Sequence, residues 1–317
     1  MKVIKIGTRL SPLALWQTNF VAKIIKKHFP DLETEIIHIK TQGDKILDVS
    51  LSKIGSKGLF TKELETELLA GTIDLAVHSL KDMPTELPSG LMLGAITQRQ
   101  DARDVLIAKK KGDTIQTLRK NAVVATGSLR RRAQLLSQRK DFVMPDLRGN
   151  LQTRIRKFEE NDWDGIVLAA AGVERMEMQS YISSYIDLDI MLPAVGQGAI
   201  CVEVVSDNKQ FYNISQRKIG IKEILDYVNH IETAIATKAE RAFLRALGGG
   251  CQTPIGAYAQ VEGNIIHIKG LVASIDGNSV FKTDITGDIT KPEETGKTLA
   301  EKLLKMGAER ILSTFQE

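Results

Sequence analysis

Polar and apolar positions change period several times along the chain. Residues 2–7 read as a strand and residues 33–40 alternate as one. Between them, Ser11 followed by Pro12 is a helix start, with the serine as N-cap and the proline at the first helical position. That helix is predicted to run to about residue 27. A long polar loop, 41–58, leads to a helix over 60–70 that Gly71 ends. Leu75-Ala76-Val77 is a short, fully apolar run and predicts a buried strand that opens into the polar cluster Ser79, Lys81 and Asp82. Residues 91–108 supply another strand and a connector, 99–104, expected to cross into a second domain.

The second domain restarts the plan of the first. Residues 121–129 again read strand, threonine, helix start, as residues 4–11 do, and 164–169 echoes 74–77 as a helix, an acidic turn and a buried strand. The Pro- and Gly-rich segment 192–199 reads as a hinge that returns the chain to the first lobe through a strand over 199–205. Residues 206–220 are polar and read as a loop. A helix over 231–247, strands over 255–260, 265–273 and 279–286, and a closing helix over 292–312 predict a small α+β domain.

Composition narrows the function little. The 317 residues are 43% hydrophobic and 26% charged, ordinary for a globular chain with room for two or three cores. The longest apolar run, near 165–173, is too short for a bilayer, and the N-terminus carries no signal-peptide pattern, so a cytoplasmic location is expected. A net charge of +4 does not by itself argue for nucleic acid. His28, His38, His78, His230 and His267 lack metal-ligand spacing, and there is no Cys-x-x-Cys, so no metal site is expected.

Candidate chemistry concentrates at four places. Cys251 follows Gly248-Gly249-Gly250; a nucleophile, a metal ligand, a covalent attachment point and a small buried cysteine after a helix C-cap all fit that loop. Cys201, in an apolar run, reads as core. Ser79, Lys81 and Asp82 fall at the carboxyl end of a strand, where ligands of open α/β sheets sit. Arg9 precedes a helix N-terminus, a natural anion site. Arg130, Arg131 and Arg132 occupy the first turn of a helix, where cations oppose the macrodipole, so something negative should compensate them. Guanidinium forks suit carboxylates and phosphates. The segment 53–58 departs from the P-loop pattern, and few aromatics accompany the arginines, which argues against base stacking.

Seven motifs, in order, resemble the porphobilinogen deaminase (hydroxymethylbilane synthase) family over about residues 5–312. They are Thr8 to Gln17, Lys57 to Phe60, Ala76 to Asp82, Ser128 to Arg131, Leu147 to Asn150, Leu192 to Gly198 and Gly249 to Gly256. The resemblance implies a fold of class α/β: two periplasmic-binding-protein-like lobes with mixed sheets around a cleft, plus a small α+β C-terminal domain. The expected division is 1–98 with 199–225, then 99–198, then 226–317. It implies a dipyrromethane cofactor held by a thioether to Cys251, and Asp82 as the catalytic carboxylate. Ser79, Lys81, Thr126, Ser128, Arg130, Arg131 and Arg154 match cofactor-binding positions. Arg9, Ser11, Gln17, Phe60, Arg148 and Arg175 match substrate-binding ones, and Gln197 a hinge-side residue.

The implied reaction adds four porphobilinogens head to tail and releases ammonia and hydroxymethylbilane. Each pyrrole carries two carboxylates, which answers the arginine excess. Loss of ammonia leaves a cationic azafulvene that a carboxylate at position 82 can stabilise. A monomer without nucleic-acid or membrane partners is expected. Three features depart from the family pattern: Gly127 where some members carry a hydroxyl, a third arginine at Arg132, and a longer 206–220 segment. A two-lobed anion-binding protein and a nucleic-acid binder are the rival readings, and both leave Cys251 and Asp82 idle.

Overall fold

The computed structural model describes residues 3–45, 60–208, 210–214, 217–250 and 252–315. In chain order the strands are β1 Ile4–Thr8, β2 Thr34–His38, β3 Leu75–Ser79, β4 Leu91–Ile96, β5 Asp104–Ala108, β6 Val124–Ala125 and β7 Gly165–Ala169. They continue as β8 Ser184–Ile186, β9 Ile200–Val205, β10 Phe211–Ile214, β11 Arg217–Gly220, β12 Ile255–Glu262, β13 Ile265–Ala273 and β14 Val280–Asp288. The helices are α1 Pro12–His28, α2 Gln42–Lys45, α3 Lys62–Leu69, α4 Leu129–Gln138, α5 Leu151–Glu160 and α6 Ala170–Arg175. After them come α7 Ile221–Asp226, α8 Ile231–Ala246, α9 Pro292–Leu303 and α10 Glu309–Leu312.

The chain divides into two compact units. The first takes described residues 3–45 and 60–99 and then Ala199–Ala234. Its sheet has the order β2-β1-β3-β9-β4, with β1 parallel to β2 and β3, and β9 antiparallel to both β3 and β4. β3 is buried on both faces, as its continuous apolar run requires. Leu75 and Val77 join Ile4, Ile6, Val21, Ile25 and Val202 on one side, while Ala76 meets Leu64 and Leu68 of α3 on the other. Ser11 caps α1, its hydroxyl accepting from Ala14 N at 3.3 Å, and Pro12 takes the first turn as expected.

The second unit holds Gln100–Gly198 and the chain from Ile235 onward. A mixed sheet, β6-β7-β5-β8, pairs β6 parallel with β7 and β5 antiparallel with β7 and β8. α5 packs Ile155 and Phe158 with Val105, Ile107 and Leu168, and Leu135 of α4 packs with Leu106, Val124 and Val167. The antiparallel sheet β12-β13-β14 packs against α8 and α9 through Ala239, Phe243, Leu299 and Leu303. Ala133 of α4 clusters with Leu192, Leu271 and Ala273.

Four expectations need correction. Residues 206–220 are not a loop throughout: β10 and β11 pair antiparallel, and Tyr212, Ile214 and Ile219 enter the first unit's core. The polar neighbours of those three residues hide a short alternation. The stretch 91–108 holds two strands, β4 and β5, on either side of the connector rather than one before it. β8 was not foreseen, and the stretch expected as a loop over 41–58 opens with the short helix α2. The closing helix is broken by a wide turn over Leu304–Ala308, at Gly307 with φ 108°, a conformation that glycine adopts without strain.

Candidate active site

In the first unit, β3 ends at Ser79 and runs into a single tight turn, Leu80–Asp82. Leu80 and Met83 are buried and grip the turn in a cluster with Ile96, Ala199 and Cys201. Leu80 N donates to Ala199 O at 3.0 Å. Asp82 is exposed on that anchored turn, beside half-buried Lys81. Gln17, buried on α1, donates from Nε2 to Ser79 Oγ at 2.8 Å, so two predicted site residues 62 positions apart meet. The Arg9 guanidinium lies over the Phe60 ring at 4.2 Å from its centroid, joining two more. That contact holds the cation without neutralising it. Ser11 caps α1 as an acceptor, which leaves its hydroxyl hydrogen to donate.

Beneath the same strand lies a buried polar group that sequence reasoning missed. His78 Nε2 and Glu203 Oε2 are 3.1 Å apart, and Glu65 of α3 is buried as well. Burial, reinforced by the charge of Glu203, raises the Glu65 carboxyl above its usual range.

In the second unit, the first turn of α4 is capped by Ser128, whose Oγ accepts from Arg131 N at 3.4 Å. Thr126 Oγ1 accepts from Ser128 N at 3.3 Å. Gly127 leaves no room for a hydroxyl-bearing side chain: an added Cβ would stand 2.6 Å from Leu147 O and 2.9 Å from an Asp146 carboxylate oxygen. Arg130 and Arg131 are buried, and the compensating charge is Asp104, at the start of β5 and 0% exposed. Arg130 Nη1 reaches Asp104 Oδ2 at 2.7 Å and also donates to Leu192 O. Arg131 donates to Asp104 Oδ1 from Nε at 3.1 Å and Nη2 at 2.8 Å, and to Val167 O from Nη1. Burial works to raise the Asp104 carboxyl, but the two guanidiniums outweigh it and hold the carboxyl well below the usual range. Burial lowers Arg130, against the pull of Asp104. Sequence reasoning passed over Asp104; its one signal is an acid opening an otherwise apolar strand, Val105 to Ala108.

The segment 192–198 is the second unit's junction. Gln134 holds Leu192 at both backbone atoms, and Gly196 N donates to buried Glu240 at 2.8 Å. Gln197 Nε2 donates to Asp104 Oδ1 at 2.9 Å. Arg175 Nη2 donates to Gly198 O at 2.7 Å, and burial lowers that guanidinium to about 10. Arg148 pairs with Asp146 at 3.1 Å, and Arg154 Nε donates to Gly149 O. Ala257 N, at the start of β12, donates to Pro193 O at 3.0 Å, so the strand that follows the glycine-rich loop is tied to the same segment. Thr253 closes that loop, accepting from Gly250 N and donating to Gly250 O. Cys251 itself, and positions 46–59 of the long polar loop, lie outside the described residues.

The residues present suit a polycarboxylate ligand. Among the described residues only Nη1 of Arg130 is engaged, which leaves its Nε and Nη2 unspent in a nearly dry site. Gly250 has open space where a Cβ would stand. Buried, anchored guanidiniums at the head of α4 mark a protein of anionic ligands. The porphobilinogen deaminase, dipyromethane cofactor binding domain matches residues 4–213, and the porphobilinogen deaminase C-terminal domain matches 234–305. Porphobilinogen deaminase of Chlorobium phaeobacteroides is 50% identical over 320 residues, covering 100% of this chain and 99% of the relative. The namesakes from Carboxydothermus hydrogenoformans and Desulfitobacterium hafniense are each 50% identical, covering 99% and 100% of this chain and 98% of their own lengths. The chain belongs to the porphobilinogen deaminase family, transferases of tetrapyrrole biosynthesis that use a dipyrromethane cofactor.

Proposed function

We propose that the chain joins four porphobilinogens head to tail, with Asp82 as the catalytic carboxylate and Cys251 as the thioether anchor of the cofactor. When bound, dipyrromethane supplies the free pyrrole α-carbon onto which the units are added, one ammonia leaving per unit. Arg130, Arg131, Arg154, Lys81, Ser79, Thr126 and Ser128 bind its acetate and propionate groups; Arg9, Ser11, Arg148 and Arg175 bind those of the substrate, and Gln17 and Phe60 lie by its pocket. Asp82 faces the positive charge that develops on the substrate pyrrole as ammonia departs, and stabilises it by a fixed opposite charge. The same carboxylate relays the proton released when the new carbon–carbon bond forms. Cytoplasmic action as a monomer, without nucleic-acid or membrane partners, belongs to this reading; none of the described helices is long and apolar enough to cross a membrane.

The observation that carries the reading is the buried arginine pair at the start of α4 with donors still to spend. Intact-mass measurement tests it. The purified chain is expected to weigh more than its sequence by one dipyrromethane, and Cys251→Ser to lose that increment. Asp82→Ala is expected to keep the increment while turnover falls by about a hundredfold or more. Normal turnover by that variant removes Asp82 from its role.

A further inference from the structure

Resting on the cofactor-binding reading of Arg130 and Arg131, we infer that Asp104 is the positioning residue that presents both guanidiniums to the cofactor carboxylates. Three facts carry this. Asp104 is fully buried, so its charge is answered by protein donors. Those donors are the two arginines and Gln197, at 2.7 to 3.1 Å, and the arginines approach different oxygens. Arg131 docks side-on, its Nε and Nη2 both donating to Oδ1, while its Nη1 donates to Val167 O, and the three bonds together fix its orientation.

The division of donors gives Asp104 its consequence. Arg131 spends three of its five N–H donors on Asp104 and Val167 O, so it chiefly holds the frame and keeps one donor on each Nη. Arg130 spends only Nη1, on Asp104 and Leu192 O, and its Nε and Nη2 edge is left to a ligand. One carboxylate against two guanidiniums leaves a net single positive charge, enough to hold an anion without making its site prohibitive to bury. Removing the charge of Asp104 frees both guanidiniums to turn. The cofactor carboxylates then lose their fixed partner, and a misplacement of about 1 Å at the reacting carbon is costly in rate.

Asp104→Asn tests this, because the amide keeps size and one acceptor while losing the charge. Apo and cofactor-loaded forms of wild type and variant are prepared with porphobilinogen as the loading reagent. Loading is scored by intact mass and each form is melted. The rise in melting temperature on loading is expected to shrink by about half in the variant, since less binding energy is coupled to folding. Per adduct-bearing molecule, kcat is expected to fall about tenfold with KM within about twofold, because Arg148 and Arg175 keep their own anchors. A purely structural role lowers both melting points equally and leaves kcat per loaded molecule unchanged, and that result overturns the inference. A wild-type chain that never gains the adduct overturns the functional reading instead. Should Asp104→Asn not accumulate as folded protein, Gln197→Met removes one donor from the same carboxylate with no change of charge. It is expected to lower kcat about threefold; an unchanged kcat in that variant also overturns the role.

Discussion

Asp82 and Asp104 each stand at one end of a strand, and burial alone separates their uses. Asp82 is exposed beyond β3, whereas Asp104 opens β5 with no accessible surface. Asp104→Ala leaves two guanidiniums uncompensated and is expected to cost about 3–5 kcal/mol in urea unfolding at neutral pH. Because its folded pKa is depressed, the stabilisation from Asp104 is present above the unfolded carboxylate value, about 3.9, and is lost as pH falls through the folded one. The gap between wild type and Asp104→Asn is therefore expected to hold from pH 7 to about pH 5 and to narrow only on acidification below about pH 4. Glu65 has the opposite sign. Its raised pKa gives stability that is complete below about 4.3 and lost as pH rises through the folded value. Glu65→Gln is expected to gain on wild type as pH rises, by about 2 °C in melting temperature between pH 5 and pH 8. An unchanged difference across that range means that Glu65 ionises freely. Neither residue stood out in the sequence, since a lone acid gives no sign of what faces it across a fold.

Elements with a continuous apolar run or a full helical stripe were legible; short elements sharing their residues with polar work were not. The Ser11-Pro12 start of α1, the buried β3 and α8 lie where their patterns put them. α5 buries only Ile155 and Phe158 among basic and acidic neighbours, and its thin stripe was legible only through the echo of the first lobe. The β10–β11 hairpin shows a polar face, yet Tyr212 is wholly buried. Tyr212→Ala is expected to cost about 3 kcal/mol in urea unfolding; a loss under about 0.5 kcal/mol would mean the hairpin sits on the surface as an ornament. The arginines of α4 were legible as a charge anomaly, but their partner arrives from β5, about two dozen positions earlier, and only folding brings the two together. The acid that the helix N-terminus demanded on electrostatic grounds was therefore foreseen in kind and not in identity.

At the scale of the molecule, the chain enters the second unit at Gln100, returns at Ala199 and leaves again at Ile235. Its mixed sheets follow from that path, since β9 arrives from the opposite direction to join strands laid down earlier. Hydrophobic patterning could place the return strand but not its neighbours, because register and partner choice depend on contacts far along the chain. β9 is not an edge: it lies between β3 and β4 and pairs with both. During synthesis, then, the strand ending in Ser79 waits with one side open until residue 205 has left the ribosome. A chain halted near residue 198 presents two unpaired strand edges to its surroundings, the situation in which nascent proteins recruit chaperones or aggregate. The platform of the Leu80–Asp82 turn is thus among the last parts of its unit to set, long after the residues that compose it have been made.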